Sequence, residues 1–286
     1  MRILFVNIPA GEEDSDFGRF MKSAYVPLLQ RNLDLVKRED TAITFRFCEW
    51  GNPGMEPAFY SYMDHLSSVM VYHAAARAEE EGFDAVVINC FGDPMLWEVR
   101  QAVNLPVVGI GESSMFLSAL MGLKFGIVHI SAYNVPGQWE RIAKYGLTDR
   151  CAGIRPIGEP PAAQEQALLD ARETIKAFTL TARMLIEDGA EILIPACSLM
   201  SPAMRLAPGA EEDFPNGVTE IDSVPVADVI GDAIVLAEAM ASLKRGGSNW
   251  ISRKLLFARA TPEAKLIAKN VTDHSRFKFW DVVTTA

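Results

Sequence analysis

The fold is decided by one stretch of sequence, EGFDAVVINC at residues 81–90, and by its second copy, DGAEILIPAC at residues 188–197. In each copy an acidic residue precedes a glycine, the residue that most often follows the end of a helix. A second acidic residue then opens an apolar run, and a cysteine follows the glycine by eight positions. The pattern predicts, twice in one chain, a helix end, a buried strand and a cysteine at the carboxyl end of that strand.

Strand-like and helix-like segments alternate along the chain, which is typical of parallel βαβ units. The apolar runs rich in Val and Ile suit strands that are buried on both faces. Strands are predicted at residues 3–8, 44–47, 85–89, 107–110, 125–130 and 191–195. Helices are predicted at residues 62–81, 113–121, 168–188 and 226–244.

Two weaker internal similarities indicate that a whole lobe is duplicated. LFVN at residues 4–7 resembles GIVH at 126–129, and LPVV at 105–108 resembles VPVA at 224–227. We therefore expect an α/β fold of two pseudo-symmetric, Rossmann-like lobes with mainly parallel sheets. Because open α/β sheets bind ligands at the carboxyl ends of their strands, we expect the active site between the lobes. The predicted division is residues 1–118 plus 225–245, residues 119–224, and a C-terminal extension at 246–286.

The composition is that of a globular protein with ample material for a core, since 49% of the 286 residues are hydrophobic and 22% are charged. No apolar run approaches the roughly 20 residues that a membrane-spanning helix needs. The N-terminal residues lack the pattern of a signal peptide. Four cysteines in a chain of this length do not indicate a disulfide framework. We expect a cytoplasmic enzyme with reduced thiols and no membrane contact.

The net charge of −10 argues against nonspecific binding of nucleic acid. The charge is uneven, because nine Lys and Arg residues stand against three Asp and Glu residues from Lys244 onward. This basic tail is interpreted as a solvated helical segment that packs on the acidic body or on a neighbouring protomer. A clamp for an anionic partner is the alternative.

Cys90 and Cys197 are the candidates for chemistry. Each is predicted to lie where a strand turns into a helix N-terminus, whose free N–H groups stabilise an anion. Such groups would lower the pKa of the thiol toward neutrality and would bind a carboxylate or enolate oxygen of a substrate. A thiolate on one face of a carbon acid and a thiol on the other can invert the carbon without a metal or a cofactor. Cys48 ends a strand and Cys151 is predicted in a polar turn, and both are interpreted as structural.

The residues around the cysteines resemble a known family. The runs VINCFGDP at 87–94 and PVVGIGES at 106–113 closely resemble the aspartate/glutamate/hydantoin racemase superfamily. The hydantoin and allantoin racemase branch is the most similar, since its first cysteine lies in a Cys-Phe-Gly-Asp-Pro motif. Its second cysteine typically lies in Leu-Gly-Cys-Ala-Gly-Met, where this chain has PACSLM at 195–200. The resemblance implies two α/β lobes, Cys90 and Cys197 as the acid/base pair, no cofactor, a small-molecule carbon acid as substrate, and a homo-oligomer.

Further site residues follow from the same motifs. The strand-end Asn-Pro of the family falls at Asn7-Ile8-Pro9, where Ile8 interrupts it, and His129 replaces a usual threonine. A protonated His129 would favour an anionic substrate. The expected substrate-binding residues are Asn7, Phe91, Gly92, Ser113, His129 and Ser198. Asp93 is expected to cap the helix that follows it, and the alternative is that it holds its own loop. Gly109-Ile110-Gly111 lacks the third glycine of a dinucleotide-binding loop, and no spacing typical of a metal site occurs.

The sequence favours a cofactor-independent racemase of a hydantoin-like or amino-acid-like carbon acid. A maleate-type cis-trans isomerase or a decarboxylase of the same superfamily is the first alternative. The presence of both cysteines disfavours a decarboxylase that uses one cysteine, whereas the altered motif around Cys197 leaves the isomerase open. A noncatalytic protein that binds a small molecule between the lobes is the alternative from another class.

Overall fold

Ten strands and eleven α-helices alternate along the described parts of the chain. A computed structural model describes residues 1–8, 11–49, 60–160, 162–211, 214–271 and 277–284. The strands are β1 Arg2–Asn7, β2 Ala42–Cys48, β3 Ala85–Ile88, β4 Val107–Gly109, β5 Phe125–His129, β6 Cys151–Pro156, β7 Ile192–Ala196, β8 Glu220–Ile221, β9 Val224–Pro225 and β10 Phe279–Val283. The helices are α1 Asp16–Phe20, α2 Val26–Asp34, α3 Ser61–Glu80, α4 Leu96–Ala102, α5 Ile110–Met121, α6 Val135–Lys144, α7 Ala163–Gln166, α8 Arg172–Glu187, α9 Met200–Leu206, α10 Val229–Arg245 and α11 Pro262–Val271.

The first sheet has the strand order β10-β2-β1-β3-β4. Strands β1, β2, β3 and β4 pair in parallel, whereas β10 pairs antiparallel with β2. All residues of β3 and β4 are buried, because α-helices cover both faces of a parallel sheet. The first sheet forms the core of the first lobe.

The second sheet repeats the arrangement of the first. Its order is β6-β5-β7, all parallel, and Val226 adds a bridge to Leu193 beside β7. Val226 therefore lies beside β7 in the second sheet, as β4 lies beside β3 in the first. This equivalence accounts for the similarity between residues 105–108 and 224–227. The predicted α/β class with mainly parallel sheets is confirmed.

Both copies of the opening stretch end a helix in the same way. Gly82 and Gly189 have φ angles of 75° and 92°, which only glycine adopts without strain. Phe83 N–H donates to the Ala78 carbonyl at 3.0 Å, and Ala190 N–H donates to the Leu185 carbonyl at 2.9 Å. These are the bonds of a Schellman motif, which satisfies carbonyl groups at the helix end. The motif directs the chain into β3 and β7, and these strands are followed by Cys90 and Cys197.

A helix interrupted by a π-helical turn brings the first lobe against the second. Helix α1 continues through the π-helical residues Met21–Tyr25 into α2. Pro27, near the start of α2, has no N–H to donate and therefore cannot form the bond of a regular α-helix. Short π-helical turns inside α-helices are frequent at functional sites. The turn ends at Tyr25, which is buried.

The basic tail is partly a strand, which the prediction of a helical tail did not include. Strand β10 covers the edge of β2, and Trp280 stacks on Phe47 with ring centroids 4.1 Å apart. Asp281 forms an ion pair of 2.7 Å with Arg46. The tail also contains α11, as the helical interpretation requires. This part of the tail therefore completes the first sheet.

Several boundaries differ from the prediction. Helix α5 begins at Ile110, three residues earlier than predicted, whereas α8 and α10 begin later, at Arg172 and Val229. Cys151 opens β6, so its predicted place in a polar turn is wrong. Helix α10 packs on α5 and β3, and the division of the chain at residues 118, 225 and 245 stays a proposal. Among the described residues no helix is both long enough and apolar enough to cross a membrane.

Candidate active site

Cys90 follows β3 and opens a turn of unusual backbone geometry. Its thiol is half-buried. Asp93 N–H donates to the Cys90 carbonyl at 3.0 Å, and Asp93 and Met95 have φ angles of 46° and 54°. Positive φ is uncommon outside glycine and recurs at functional sites, where the surrounding contacts must hold it. Helix α4 begins at Leu96, so the strand leads to a helix N-terminus as predicted, but five residues of turn separate that N-terminus from Cys90.

Cys197 follows β7 and is buried, with a helix starting close behind it. Leu199 N–H lies 3.4 Å from its sulfur, and α9 begins at Met200. Burial raises the pKa of the Cys197 thiol, although the N–H groups of Met200 and Leu199 act in the opposite direction. The predicted pKa near neutrality is therefore wrong for this cysteine, because desolvation outweighs the hydrogen bonds.

Tyr25 connects the turns of the two cysteines. Its hydroxyl donates to the Ser198 carbonyl at 3.1 Å and accepts a hydrogen bond of 2.9 Å from Asn89 Nδ2. Asn89 directly precedes Cys90, and Ser198 directly follows Cys197. Burial raises the pKa of the Tyr25 hydroxyl, and charges on Cys197 and Cys90 add to the effect. One phenol thus lies close to both thiols and ties the two lobes together.

Asn7 supports this bridge through a hydrogen bond with Asn89. Its Oδ1 accepts a hydrogen bond of 2.7 Å from Asn89 Nδ2. Its own Nδ2 donates to the carbonyls of Phe5 and Arg46 at 3.2 and 3.4 Å. The amide that was predicted to bind substrate is buried and hydrogen-bonded within the protein, and its contact with a substrate stays a prediction. The neighbouring Pro9 of the family motif lies outside the described residues.

His129 ends β5 at the place in the second lobe that Asn7 occupies in the first. It pairs in register with Ala196, the residue before Cys197. Its Nδ1 lies 3.1 Å from the carbonyl oxygen and 3.2 Å from the N–H of Ser131. Burial lowers the pKa of His129 to about 4. The ring is neutral near pH 7, so a protonated His129 that attracts an anion is not supported.

The remaining predicted binding residues occupy different environments. Phe91 is buried in the hydrophobic core, whereas Gly92 lines an open cavity. The Ser113 hydroxyl donates to the Gly109 carbonyl at 2.8 Å, four residues back in the chain. The carbonyl of Ser198 accepts from Tyr25. Phe91, Gly92 and Ser198 therefore belong to the two cysteine turns, whereas Ser113 lies in α5, and a role of all four in binding substrate stays a prediction.

Asp93 holds the Cys90 turn through a contact that the sequence did not predict. Its carboxylate accepts hydrogen bonds from Gly111 N–H at 3.0 Å, Glu112 N–H at 2.6 Å and the Tyr145 hydroxyl at 2.8 Å. The first two donors belong to the N-terminus of α5, so Asp93 caps α5 and not α4, the helix that follows it. A Cβ on Gly109 would lie 2.1 Å from the Asp93 carboxylate. The two glycines of the 109–111 run therefore make room for Asp93.

Glu112 is paired with Arg100. Its Oε1 accepts a hydrogen bond of 2.9 Å from Arg100 Nη1. In the part of the chain that the structure describes, no three His, Cys, Asp or Glu side chains cluster as metal ligands would. The chemical groups on the two cysteine turns or beside them in the structure are two thiols, the Tyr25 phenol, the Asn7 amide and a neutral imidazole.

The sequence matches the family described as Asp/Glu/Hydantoin racemase over residues 25–228, which include both Cys90 and Cys197. The hydantoin racemase of Pseudomonas sp. (strain NS671) is 29% identical over 202 residues, covering 67% of this chain and 73% of that protein. The hydantoin racemase of Paenarthrobacter aurescens is 30% identical over 195 residues, covering 67% of this chain and 77% of that protein.

A solved structure shares the fold. The allantoin racemase from Klebsiella pneumoniae superposes with a TM-score of 0.70 at 23% identity, covering 91% of this chain and 94% of that chain. At this identity the comparison shows a common architecture of two α/β lobes. It adds no information on the substrate of this chain.

Proposed function

The chain belongs to the Asp/Glu/hydantoin racemase family, and from this premise we propose that it racemises a hydantoin-like or amino-acid-like carbon acid with Cys90 and Cys197. One observation carries the proposal. The hydroxyl of Tyr25 is hydrogen-bonded both to the residue before Cys90 and to the residue after Cys197. This link between the two cysteine turns supports the proposal, because inversion of a single carbon requires one thiol on each side of it.

The reaction is a transfer of two protons with no change in oxidation state. The thiolate of Cys90 removes the proton from Cα, and the electron pair of that C–H bond moves into the adjacent carbonyl. The thiol of Cys197 then delivers its proton to the opposite face of the same carbon. The products are the inverted substrate, a Cys90 thiol and a Cys197 thiolate. In the reverse direction the two sulfurs exchange roles.

The surroundings of the two sulfurs support this assignment of roles. Cys197 is buried and its pKa is raised, so it holds its proton in the protein without substrate. Once it gives that proton away, the N–H groups of Leu199 and Met200 stabilise the thiolate. Cys90 is only half-buried, which supports it as the cysteine that carries the charge before proton transfer.

A cyclic ureide is the substrate class that we propose first. The two relatives similar in sequence are named hydantoin racemases. A neutral His129 at the end of β5 fits an uncharged ring, because it offers a hydrogen bond without adding charge. The carbanion at Cα of such a ring is adjacent to a carbonyl, which makes the proton acidic enough for a thiolate to remove.

The test is exchange of the Cα proton in deuterated water. Single enantiomers of 5-substituted hydantoins, allantoin and amino acids would be incubated with the protein, and deuterium at Cα and optical rotation would be followed together. We expect rotation to fall to zero while one deuteron is incorporated. Cys90→Ser and Cys197→Ser should each lower the rate by roughly 10²- to 10⁴-fold, the usual value of general acid–base catalysis.

Other outcomes contradict the proposal. If both variants racemise an accepted substrate as fast as the unmodified protein, the mechanism with two thiols is wrong. Release of carbon dioxide from a malonate-type substrate would identify a decarboxylase, and conversion of maleate to fumarate would identify an isomerase. Binding of a ureide with no exchange at Cα would identify a noncatalytic binding protein.

A further inference from the structure

A cavity of about 510 Å³ lies beside the turn that follows Cys90. Gly92 and Asp93 of that turn form one wall, and Arg141 and Tyr145 at the end of α6 form another. The volume is within the range of pockets that bind small molecules. The cavity thus shares Gly92 and Asp93 with the turn that follows Cys90.

Arg141 lies between the two halves of the site. Its positive charge lowers the pKa of both Asp93, in the Cys90 turn, and His129, next in register to the residue before Cys197. The side chain is only partly exposed. A half-buried cation of α6 therefore lines the cavity beside the Cys90 turn.

The guanidinium of Arg141 retains donors for a ligand. Its Nη1 donates to Gln138 Oε1, a neutral oxygen, and within the described ranges Arg141 forms no ion pair with a carboxylate. Asp93 already accepts from Gly111, Glu112 and Tyr145. A guanidinium carries five N–H donors in a planar fork, which matches the two oxygens of a carboxylate.

The other charged groups of the cavity are nearer to solvent. Glu98 and Glu140 are exposed, so water and salt screen their charges. Lys144 is also exposed, and its Nζ lies 3.8 Å from the centroid of the Trp97 ring. Arg141 is therefore the half-buried cation of this cavity, and it donates to the neutral oxygen of Gln138.

We propose that Arg141 binds a carboxylate on the side chain of the substrate, so that the protein selects an acidic cyclic ureide. The inference rests on the proposed function, because it takes the two cysteines as the centre of reaction. The expected substrate is a hydantoin that carries a carboxymethyl or carboxyethyl group at the reacting carbon. The ring remains neutral, in keeping with the neutral His129, and the anion lies at the far end of the side chain.

The test compares two hydantoins of nearly equal size. Hydantoin-5-acetic acid carries the carboxylate, and hydantoin-5-acetamide is its neutral counterpart. A charge-assisted hydrogen bond to a carboxylate is about twice as strong as a neutral one. We expect kcat/KM to be about tenfold higher or more for the acid than for the amide. Arg141→Gln should reduce this ratio about tenfold, and Arg141→Lys should reduce it less, since lysine keeps the charge without the fork.

Lys144→Gln is the matched control, because it removes a cation from the same helix and the same cavity. We expect it to change the ratio by less than about threefold, since an exposed charge is screened. Equal kcat/KM for acid and amide in the unmodified protein would overturn the proposal. So would an Arg141→Gln variant that lowers both values by the same factor.

Binding is measured separately, so that failure of the proposed function can be recognised. Calorimetric titration of the Cys90→Ser/Cys197→Ser protein with each hydantoin needs no turnover. Tighter binding of the acid that is lost in Arg141→Gln supports the role of Arg141, even if no hydantoin is racemised. Racemisation of the amide without preference for the acid supports the proposed function and contradicts the role of Arg141.

Discussion

The hydroxyl of Tyr25 donates to the carbonyl of Ser198 at 3.1 Å, across a separation of 173 residues in sequence. The bond joins a π-helical turn of the first lobe to the residue that follows Cys197. The same hydroxyl accepts a hydrogen bond from Asn89, the residue that precedes Cys90. One buried oxygen atom thus links the two cysteine turns.

Tyr25→Phe removes that oxygen and keeps the ring. We expect the free energy of unfolding to fall by about 1 kcal/mol, the usual net value of a hydrogen bond. We expect kcat to fall roughly fivefold to tenfold in both directions of racemisation with little change in KM, because the groups that shift act on the transition state. Steady-state kinetics with each enantiomer and urea unfolding check the two expectations.

Tyr133→Phe provides the control for Tyr25, because the Tyr133 side chain is 82% exposed. It should leave kcat and stability unchanged. A Tyr25→Phe protein with the kcat of the unmodified protein would show that the bridge does not position the cysteines.

The two candidate cysteines should differ in their reaction with iodoacetamide. Cys90 is half-buried and Cys197 is 5% exposed, so we expect Cys90 to be alkylated about tenfold faster or more. Cys48 is fully buried and its pKa is raised by desolvation, so it should react slowest and serves as an internal control. Mass spectrometry of peptides taken at successive times gives all three rates. Alkylation of Cys197 before Cys90 would reverse the roles that we assign to them.

Gly111→Ala should destabilise the protein. A Cβ at this position would lie 2.4 Å from the Phe91 carbonyl oxygen and 2.7 Å from Asp93 Oδ2, so the backbone of the Cys90 turn would have to move. Overpacking of this kind costs typically about 1–3 kcal/mol. Gly137→Ala is the matched control, because nothing lies within 4 Å of the added carbon and alanine favours the helix. If urea unfolding shows Gly137→Ala to be less stable than Gly111→Ala, the packing described for Asp93 is wrong.

Asp93 should make stability depend on pH. Burial raises the pKa of Asp93 from 3.8 to about 6, against the opposing effects of Arg141, Tyr145 and Gly111, while Glu112 adds to the rise. The folded protein therefore holds this proton more tightly than the unfolded chain. The stabilisation is complete below about pH 4 and is lost as pH rises through about 6, a change on the order of 2–3 kcal/mol.

Asp93→Asn isolates this effect, because asparagine does not titrate. The variant keeps one of the two oxygen acceptors that face α5, so its stability is shifted as a whole, and the comparison is made on the dependence of stability on pH. Urea unfolding is measured between pH 4 and pH 7. As pH rises over this range, the free energy of unfolding of the unmodified protein should decrease relative to that of the variant. Parallel curves for the two proteins would mean that Asp93 titrates at the same pH in the folded and unfolded states.

The repeated stretch at residues 81–90 and 188–197 allowed much of the fold to be predicted. Its glycines, strands and cysteines lie where the pattern places them, because a helix stop and a buried strand have local signals. Tyr25 has no such signal, since a single tyrosine in a helix does not indicate a partner in another lobe. Likewise, the groups that donate hydrogen bonds to Asp93 are set by the packing between α4, α5 and α6, which the local sequence does not show.

Burial explains the errors in the predicted ionisation of the site. The sequence places donors after Cys197, and the structure contains them, yet desolvation of the thiol has the larger effect on its pKa. Burial also decides the protonation state of His129, which the sequence left open, since the pKa of the enclosed ring is lowered to about 4. A short local motif shows which groups can donate, but the loss of water around a side chain depends on distant segments.

The pairing of β10 with β2 has a consequence for the order of folding. Arg46 and Asp281 are joined by a hydrogen bond although 235 positions separate them. Closing so long a loop costs more chain entropy than the pairings of β1 with β2 and β3 within the first lobe. We therefore expect the outer strand to dock late, after the parallel strands have assembled. Pulsed hydrogen exchange during refolding would then show the amides of β10 acquiring protection after those of β1.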